Sequence, residues 1–415
     1  MSIDTQRLPD LIVSTKALLR KQIPSYAEVF AEVSECMNQE VEAVQEQRAR
    51  GHSVIPEIDY ASIISGRVNE TQLQLVKRRG AVVVRGVFSH QQATAWNDEL
   101  AEYIISNGYY ETEIDPDMDR YFSTLKSGRP QIFGIYWSRP QIMARQAESM
   151  ASTRTFLNRL WVSEASSTSY FDPQRECTYA DRIRRREPGD VSLGLSPHTD
   201  AGSVERWLDV AYRRVYRHVF SENWREYDPF DGAHRTEVEE IPSPAVCSMF
   251  RTYQGWTALT PQGPGDGTLQ LLPIAKAMVY ILLRPLLEDV PEESLCGVKP
   301  ARALSISPEW HGPLVPALTP IPLVEPGDTV WWHPDVVHAV QDRHQGQGYS
   351  NVMYIGAAPY CAKNAAYLER QGQAFLKGES APDFAPENYE ATYKGRATIE
   401  DLTDLGKRQM GFMSW

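Results

Sequence analysis

The feature that most constrains the fold is a series of short apolar runs between residues 131 and 357, separated by proline and glycine turns. The runs read IFGIYW, VCSMFRTYQGWTALT, TLQLLPI, DTVWWH and NVMYIGA, and the turns include PQGPGDG, EPGD and HQGQG. Short runs rich in β-branched and aromatic residues predict strands, and frequent turns favour antiparallel pairing. The pattern therefore predicts an antiparallel sandwich or jelly roll.

Helical patterns precede, interrupt and follow these runs. Apolar residues recur at helical spacing from Val29 to Val44, and we expect Ser25 and Glu28 to form a capping box at the start of this helix. Ser89 is expected to cap another helix. Three further helical stretches are predicted: 206–220, 274–287 and 364–377. The expected fold class is α+β, with a jelly-roll core and N-terminal, inserted and C-terminal helices.

Length and composition limit the classes of protein to consider. With 415 residues and 42% hydrophobic content, the chain can bury a sizeable core. We divide it into a helical N-terminal extension, residues 1–55, and a domain of residues 56–415 that holds the jelly roll and its helical insertions. The net charge of −12 argues against a general nucleic-acid or anionic-membrane surface.

Two other features bear on location. The chain lacks both a signal-peptide pattern and an apolar stretch near the ~20 residues that a membrane span requires. Its five cysteines are scattered and form no CxxC motif, which suggests neither a disulfide framework nor a zinc cage. We therefore expect a cytoplasmic protein with a small-molecule substrate and with no nucleic-acid or membrane partner. The sequence does not define its oligomeric state.

A possible metal site lies in the stretch GLSPHTDAGSVERW, which contains His198-Thr199-Asp200. A histidine and an aspartate two residues apart on an extended segment point to the same side, so both can reach one metal ion. About half of one such pair is expected by chance in a chain of this composition. The chain holds a second, His333-Pro334-Asp335, so the pair is informative only through its setting.

The setting favours the first pair. A jelly roll can hold a metal ion when a His-x-Asp on an early strand meets a lone histidine on a late strand. The run EPGDTVWWH is a turn followed by a strand, and it places His338 just beyond the strand end. The second pair is followed only by His338 and His344 within the same local segment, so one loop would have to wrap the ion.

These donors also indicate a type of chemistry. Two histidines and one carboxylate leave three open positions on an octahedral ion, as in non-haem Fe(II) oxygenases, where a bidentate co-substrate and dioxygen meet. Zinc normally prefers four-coordinate sites. The same donors are also compatible with manganese or nickel.

The ordered set PHTDAGSVERW, FRTYQGWTAL, GDGTLQLLPI, EPGDTVWWHPDVVHAV and NVMYIGAAP resembles the YbiU-like bacterial and fungal proteins of the Fe(II)/2-oxoglutarate oxygenase superfamily. The similarity extends from about Ala61 through the C-terminal tail. It implies a double-stranded β-helix, and a weaker similarity to phytanoyl-CoA-hydroxylase-like enzymes supports the same fold. It also implies that His198, Asp200 and His338 hold Fe(II), with 2-oxoglutarate and dioxygen as co-substrates and hydroxylation as the default outcome.

One part of the pattern departs from most such enzymes, which have a basic residue about ten positions after the last histidine to bind the far carboxylate of 2-oxoglutarate. Here residues 346–351 read GQGYSN. Arg251, within SMFRTYQGW, is the natural replacement, and Ser350 and Asn351 could add neutral hydrogen bonds. Arg343 ranks lower because it lies in a polar turn.

Other residues allow two interpretations. Arg182, Arg184 and Arg186 would point to one side of a strand, where they bind an anionic ligand or form a salt-bridged face. Arg206 either lies beside the metal ligands or forms a helix-end ion pair. Four aromatic residues either line a pocket or pack in the core: Tyr136, Trp137, Tyr253 and Trp256.

The sequence therefore favours a Fe(II)/2-oxoglutarate-dependent dioxygenase. The alternative is a metal-bound cupin-like isomerase or hydrolase that does not use 2-oxoglutarate, which the missing late arginine favours. A third class, a binding or scaffold protein, has no chemical need for all three ligands. Formation of succinate separates the first class from the others, and bound metal separates the first two from the third.

Overall fold

A computed structural model describes residues 5–111, 131–192, 197–244 and 246–415. The architecture is mixed α+β with several sheets, which confirms the predicted class. The strands are β1 (Glu57–Asp59), β2 (Ala81–Arg85), β3 (Ile132–Phe133), β4 (Glu164–Ala165), β5 (Thr168–Ser169), β6 (Asp172–Cys177), β7 (Ile183–Arg186), β8 (His198–Thr199), β9 (Gln254–Ala258), β10 (Leu269–Leu271), β11 (Leu304–Ser305), β12 (Thr319–Pro320), β13 (Thr329–Trp332), β14 (His338–Val340), β15 (Ser350–Tyr354) and β16 (Ala358–Tyr360).

The helices lie before, between and after the strands. They are α1 (Leu8–Gln22), α2 (Tyr26–Ala49), α3 (Tyr60–Ile64), α4 (Glu70–Arg79), α5 (His90–Ser106), α6 (Arg139–Arg145), α7 (Glu148–Asn158), α8 (Glu205–Leu208), α9 (Val210–Val215), α10 (Ala277–Leu283), α11 (Pro308–His311), α12 (Ala362–Lys377) and α13 (Asp404–Gln409). Short 3-10 helices cover Thr5–Arg7, Tyr109–Glu111, Trp224–Glu226, Arg284–Leu286, Gly312–Ala317, Tyr389–Ala391 and Ile399–Asp401. In the part of the chain that the structure describes, no helix has the length and apolar character to cross a membrane.

Two sheets form the centre of the molecule. The larger has the order β1-β2-β13-β9-β15-β7-β3, and the smaller has the order β11-β8-β14-β10-β12. Strands β1 and β2 are parallel, whereas the other pairs in these sheets are antiparallel, as the dense turns predict. Two further sheets have two strands each, β6 with β16 and β4 with β5.

Apolar side chains from both large sheets pack into one buried cluster. Val83, Trp256 and Trp332 from the larger sheet meet Leu269 and Leu271 from the smaller one. The two sheets therefore pack against each other through these faces. The opposite face of β13 is also buried, because Trp331 packs in a second cluster together with helical residues. Burial on both faces explains why this strand reads as a continuous apolar run.

The N-terminal helices pack on the helices that connect the strands. Val29, Val33, Met37, Val41 and Val44 are all buried, as their spacing predicts, in a cluster shared with α8, α9 and α10. This burial provides most of the stability of a long amphipathic helix. The division of the chain at residue 55 stays a prediction.

The predicted capping box at the start of α2 is wrong. The side chain of Ser25 makes no capping hydrogen bond, and its Oγ instead donates to Glu222 at 2.7 Å. Its backbone has ψ near 32°, whereas a capping residue normally needs an extended conformation. Ser89 does have an extended backbone, and its hydroxyl accepts from the amide of Gln92, which confirms the cap of α5.

Three predicted helices differ at their ends. The stretch 206–220 contains two short helices, because Asp209 is extended and its side chain caps α9 through the amide of Tyr212. The stretch 274–287 becomes α10 and a 3-10 turn that contains Pro285. The prediction for α12 is nearly right, and this helix ends at Gly378 in the left-handed conformation.

The apolar run over 246–260 forms a strand only in β9. Before β9, side chains from the C-terminal region take the place of a neighbouring strand. The amide of Phe250 donates to Asn364 Oδ1 at 2.8 Å, and the amide of Ser248 donates to Asp383 Oδ2 at 2.7 Å. These bonds satisfy buried backbone groups without a ladder, and they hold an irregular segment that forms part of the wall of the central cavity.

Candidate metal centre

Two adjacent strands of the smaller sheet bring the predicted ligands together. His198 on β8 and His338 on β14 are direct cross-strand partners, with ring centroids 4.4 Å apart. Asp200 follows β8 and lies between the two imidazoles. Its Oδ1 is 3.3 Å from His198 Nε2, and its Oδ2 is 3.4 Å from His338 Nε2.

The three side chains could hold a metal ion. Their donor atoms all lie within 4.8 Å of one another, and both histidines are buried. His338 Nδ1 lies 3.5 Å from the carbonyl oxygen of Val336, so a proton on Nδ1 leaves Nε2 available as a ligand. Two imidazole nitrogens and one carboxylate are the donor set of the facial triad. The residues present therefore fit an open-sided Fe(II) site.

Local electrostatics favour the forms that bind metal. Burial alone would raise the pKa of Asp200, but His338 and His198 outweigh it and hold that pKa well below its usual range. Burial lowers the pKa of His338 despite the neighbouring carboxylate. A charged carboxylate and a neutral imidazole are the protonation states that metal binding needs.

A residue of the opposite sheet contacts the triad. Gln254, at the start of β9, donates a short hydrogen bond from its side-chain amide to Asp200 Oδ2. Its own Oε1 is buried and has no hydrogen-bond partner among the described residues. Trp332 also lies close, with its ring centroid 5.3 Å from that of His338. Gln254 thus orients Asp200, and sequence analysis does not single it out.

Arg206 connects the two segments that carry the ligands. Its guanidinium is fully buried and pairs with Asp335, with 2.7 Å between Nη1 and Oδ1. It also donates to the carbonyl oxygens of Ala201 and Gly202 and to Thr199 Oγ1. The sequence predicts that Arg206 either lies beside the metal ligands or forms an ion pair at a helix end. The structure combines the two, because this side chain holds the loop after Asp200 and also forms a buried ion pair.

Asp335 and His333, the second His-x-Asp pair, have structural contacts. Asp335 also pairs with Arg235 at 3.0 Å, and the two arginines hold its pKa far below the usual range although burial opposes this. The ring of His333 stacks on Trp161, and its two nitrogens contact the Pro229 carbonyl oxygen and the Asp335 amide. Neither residue has a ligand atom free to join the triad.

The triad lies in the wall of a cavity of about 440 Å³. The cavity is bounded by residues of both sheets and of the irregular segment before β9, together with five residues of the segment 297–303. Trp256, Trp332 and Leu269 contribute apolar surface. A cavity of this volume with a few converging polar groups is typical of a small-molecule site.

Arg251 lies in the same cavity as the triad. It is buried, and its guanidinium lies 5.1 Å from the ring centroid of Tyr179. Burial alone would lower the pKa of Arg251, but Cys247, Tyr179 and Asp200 outweigh it and hold that pKa above its usual range. Within the described ranges, this guanidinium makes no hydrogen bond or ion pair.

The structure does not bring Ser350 and Asn351 to the cavity. Ser350 Oγ donates to the carbonyl oxygen of Asp266 at 2.6 Å, and Asn351 Nδ2 donates to Asn97 Oδ1 at 2.8 Å. Arg343 is exposed on the surface. Of Arg251, Arg343, Ser350 and Asn351, Arg251 is the one that lines the described part of the cavity that holds the triad.

The three alternate arginines around β7 have different environments. Arg186 is fully buried, and it donates to four backbone carbonyl oxygens, those of Gly267, Gln341, Asp190 and Asp342. Arg182 and Arg184 line the cavity. The prediction that the three could share a ligand-binding face therefore applies to two of them.

Among the four aromatic residues, Trp256 lines the cavity, whereas Tyr136, Trp137 and Tyr253 pack in the core.

Lys299 and Arg302 also line the cavity, although their sequence context carries no strand or motif signal. Their position results from the loop that leads into β11, next to the strand that carries His198.

Comparison with known proteins gives the family. The family model described as Gig2-like matches residues 6–412, which is nearly the whole chain. The chain belongs to the Gig2-like family. Its similarity to "Uncharacterized protein YbiU" of Escherichia coli (strain K12) is 47% identity over 398 residues, which cover 95% of this chain and 94% of that protein. The predicted relation to YbiU is therefore confirmed.

Solved structures of related proteins share the fold. A Salmonella typhimurium LT2 protein named "Putative Oxidoreductase" superposes with a TM-score of 0.93 at 45% identity, covering 99% of this chain and 98% of that chain. The Gig2-like protein GIG2 (DUF1479) of Candida albicans superposes with a TM-score of 0.83 at 27% identity, covering 97% and 89% of the two chains. The family fold thus extends across bacterial and fungal members.

Proposed function

We propose that this Gig2-like protein is a non-haem Fe(II) oxygenase that uses 2-oxoglutarate to hydroxylate a small molecule, on a double-stranded β-helix core. The observation that carries the proposal is the convergence of His198, Asp200 and His338 in the wall of a cavity that also contains Arg251, which has no ion-pair partner among the described residues. The name of the Salmonella relative, "Putative Oxidoreductase", agrees with this class.

The triad residues would hold the iron. The bound ion would support oxidation of 2-oxoglutarate by dioxygen to succinate and carbon dioxide, with insertion of the second oxygen atom into a substrate C–H bond. Gln254 holds Asp200 in place from the opposite sheet. Arg206 and Asp335 fix the separation of the two segments that carry the ligands.

Arg251 would bind the far carboxylate of 2-oxoglutarate. A planar guanidinium can form two parallel hydrogen bonds to a carboxylate. Its burial in the cavity wall without an anionic partner among the described residues leaves it available for this role. Trp256 and Trp332 would limit the access of water to the ion and strengthen these electrostatic contacts.

A second candidate is a metal-dependent cupin-like isomerase or hydrolase without 2-oxoglutarate. The absence of a basic residue in the window 346–351 favours it. The same triad would serve such an enzyme, so the metal site alone does not separate the two functions.

Succinate formation tests the proposal. Protein loaded with Fe(II) is incubated in air with 2-oxoglutarate and ascorbate at high enzyme concentration, and succinate is quantified by mass spectrometry. We expect succinate from the wild type and none above background from Asp200→Ala. Bound iron with no succinate from the wild type would favour the cupin-like candidate, and a wild type that binds no metal would contradict both.

A further inference from the structure

The cavity is positively charged in a chain that is negatively charged overall. The described part of its lining includes two carboxylates, Asp181 and Asp200, against five basic side chains: Arg182, Arg184, Arg251, Lys299 and Arg302. The whole chain has a net charge of −12. The excess of positive charge is therefore local to the cavity, where apolar walls strengthen its field.

Arg184 is, with Arg251, a buried basic residue of the cavity that has few polar contacts among the described residues. It is 9% exposed and lines the cavity, and its one hydrogen bond within the described ranges is a long contact of 3.4 Å to the carbonyl oxygen of Gly267. Burial lowers the pKa of Arg184, an effect that Tyr354 and Asp190 only partly offset. A buried cation without a close counterion costs free energy that an anionic ligand would recover.

The neighbouring arginines, unlike Arg184, have close hydrogen-bond or ion-pair partners within the protein. Arg186, two residues along the same strand, donates to four backbone carbonyl oxygens. Arg182 pairs with Asp181 and stacks on Phe384 at 4.4 Å. Arg184 lies between them, and among the described residues it has neither a paired carboxylate nor a set of carbonyl acceptors.

We propose that the cavity binds an anionic small-molecule substrate, whose carboxylate or phosphate group is held by Arg184, with Lys299 adding positive charge near the cavity. The inference rests on the proposed function, because 2-oxoglutarate needs one arginine for its far carboxylate and Arg251 fills that role. Arg184 is then a second buried cation for a second anion. The C–H bond to be oxidised would lie between this anionic group and the triad.

Binding of matched neutral and anionic probes tests the proposal. Phenyl phosphate is compared with benzyl alcohol, and phenylacetate with phenylacetamide, by calorimetric titration at constant ionic strength. The protein is loaded with Fe(II) and saturated with 2-oxoglutarate under anaerobic conditions. We expect at least one anionic probe to bind about tenfold or more tightly than its neutral match, and the favoured pair identifies phosphate or carboxylate.

Two variants assign the effect to a residue. Arg184→Gln should abolish the preference for the anion, whereas Arg185→Gln should retain it. Arg185 lies on the same strand, and its substitution removes the same charge. Its side chain lies near the ring of Tyr349 and is not part of the described cavity lining. Equal affinity for neutral and anionic probes, or an unchanged preference in Arg184→Gln, would overturn the proposal.

Titration of 2-oxoglutarate into the same variants separates this inference from the proposed function. If Arg184→Gln loses 2-oxoglutarate affinity while Arg251→Gln keeps it, Arg184 is the co-substrate anchor and the inference fails while the oxygenase stands. A preference for anionic probes that depends on Arg184 and persists in protein without 2-oxoglutarate would support the anion site even if succinate formation fails.

Discussion

Arg206 and Asp335 form a fully buried ion pair, with 2.7 Å between Nη1 and Oδ1, that joins the segment after Asp200 to the segment before His338. Arg235 pairs with the other carboxylate oxygen at 3.0 Å. One carboxylate therefore pairs with two buried guanidinium groups next to the candidate metal site. Removal of its charge leaves both cations without an ion-pair partner among the described residues.

We therefore expect Asp335→Asn to destabilise the protein by about 3–5 kcal/mol, as in other buried pairs that lose one partner. It should also weaken metal binding, because Arg206 no longer holds the loop after Asp200. Urea unfolding measures the first effect, and a metal-competition titration measures the second. The control is Glu46→Gln, which breaks the exposed pair with Arg50 and should cost about 0.5 kcal/mol or less. A loss of similar size in both variants would contradict the account.

Gln254→Leu should lower metal affinity about 10- to 100-fold, the usual effect of removing a residue that orients a metal ligand. The hydrogen bond from Gln254 to Asp200 is the reason. Gln270→Leu is the matched control, because Gln270 lies on β10 but is not among the cavity-lining residues. Metal competition with a chelator measures both, and equal affinity in the two variants would exclude an orienting role for Gln254.

Arg251→Ala should weaken the binding of 2-oxoglutarate by at least about 30-fold, as expected when a buried charged partner is removed, without loss of the metal. Anaerobic calorimetry of the Fe(II)-loaded protein measures the affinity, and elemental analysis measures the iron. Arg343→Ala is the control, since this exposed arginine lies outside the cavity lining. Unchanged affinity in Arg251→Ala would remove this residue from the proposal.

The sequence predicts which three side chains come together, because each of the candidate ligands lies at a strand end that turns and apolar runs already indicate. His198 and Asp200 lie in a His-x-Asp motif, and His338 follows the run that becomes β13. Their convergence depends on the pairing of β8 with β14, whose register no local sequence pattern gives.

Contacts between side chains that are far apart in the chain could not be predicted from the sequence. Arg206 and Asp335 are 129 residues apart, and no local pattern marks either one as a partner. Ser350 and Asn351 occupy the expected window after His338, but their side chains bond elsewhere. The short extent of β9 within 246–260 likewise results from hydrogen bonds to C-terminal side chains that local propensity does not include.

The stability of the protein should depend on the ionisation of His333. Burial lowers its pKa to about 3, despite the attraction of Asp335, whereas the unfolded value is 6.5. Because the unfolded state binds the proton more tightly, stability is fully present above pH 6.5 and falls as the pH is lowered. Between pH 7.5 and 5 this residue alone should cost about 2 kcal/mol.

The variant His333→Gln removes this titration and isolates it from other groups. The buried Glu390, whose pKa burial raises to about 7, acts in the opposite direction, since its protonated form is favoured in the folded state. Urea unfolding of wild type and variant is therefore measured at pH 7.5 and at pH 5. The change in the free energy of unfolding between the two pH values is then compared for the two proteins. Equal pH dependence of the two proteins would contradict the assignment to His333.

The central claim is that His198, Asp200 and His338 hold an Fe(II) ion to which 2-oxoglutarate binds through two oxygen atoms. Anaerobic titration of 2-oxoglutarate into Fe(II)-loaded protein tests it most directly, through the weak visible metal-to-ligand charge-transfer band. The account predicts a band that saturates in the wild type and is absent in His198→Ala. Stoichiometric iron in the wild type with no band at saturating 2-oxoglutarate would contradict it.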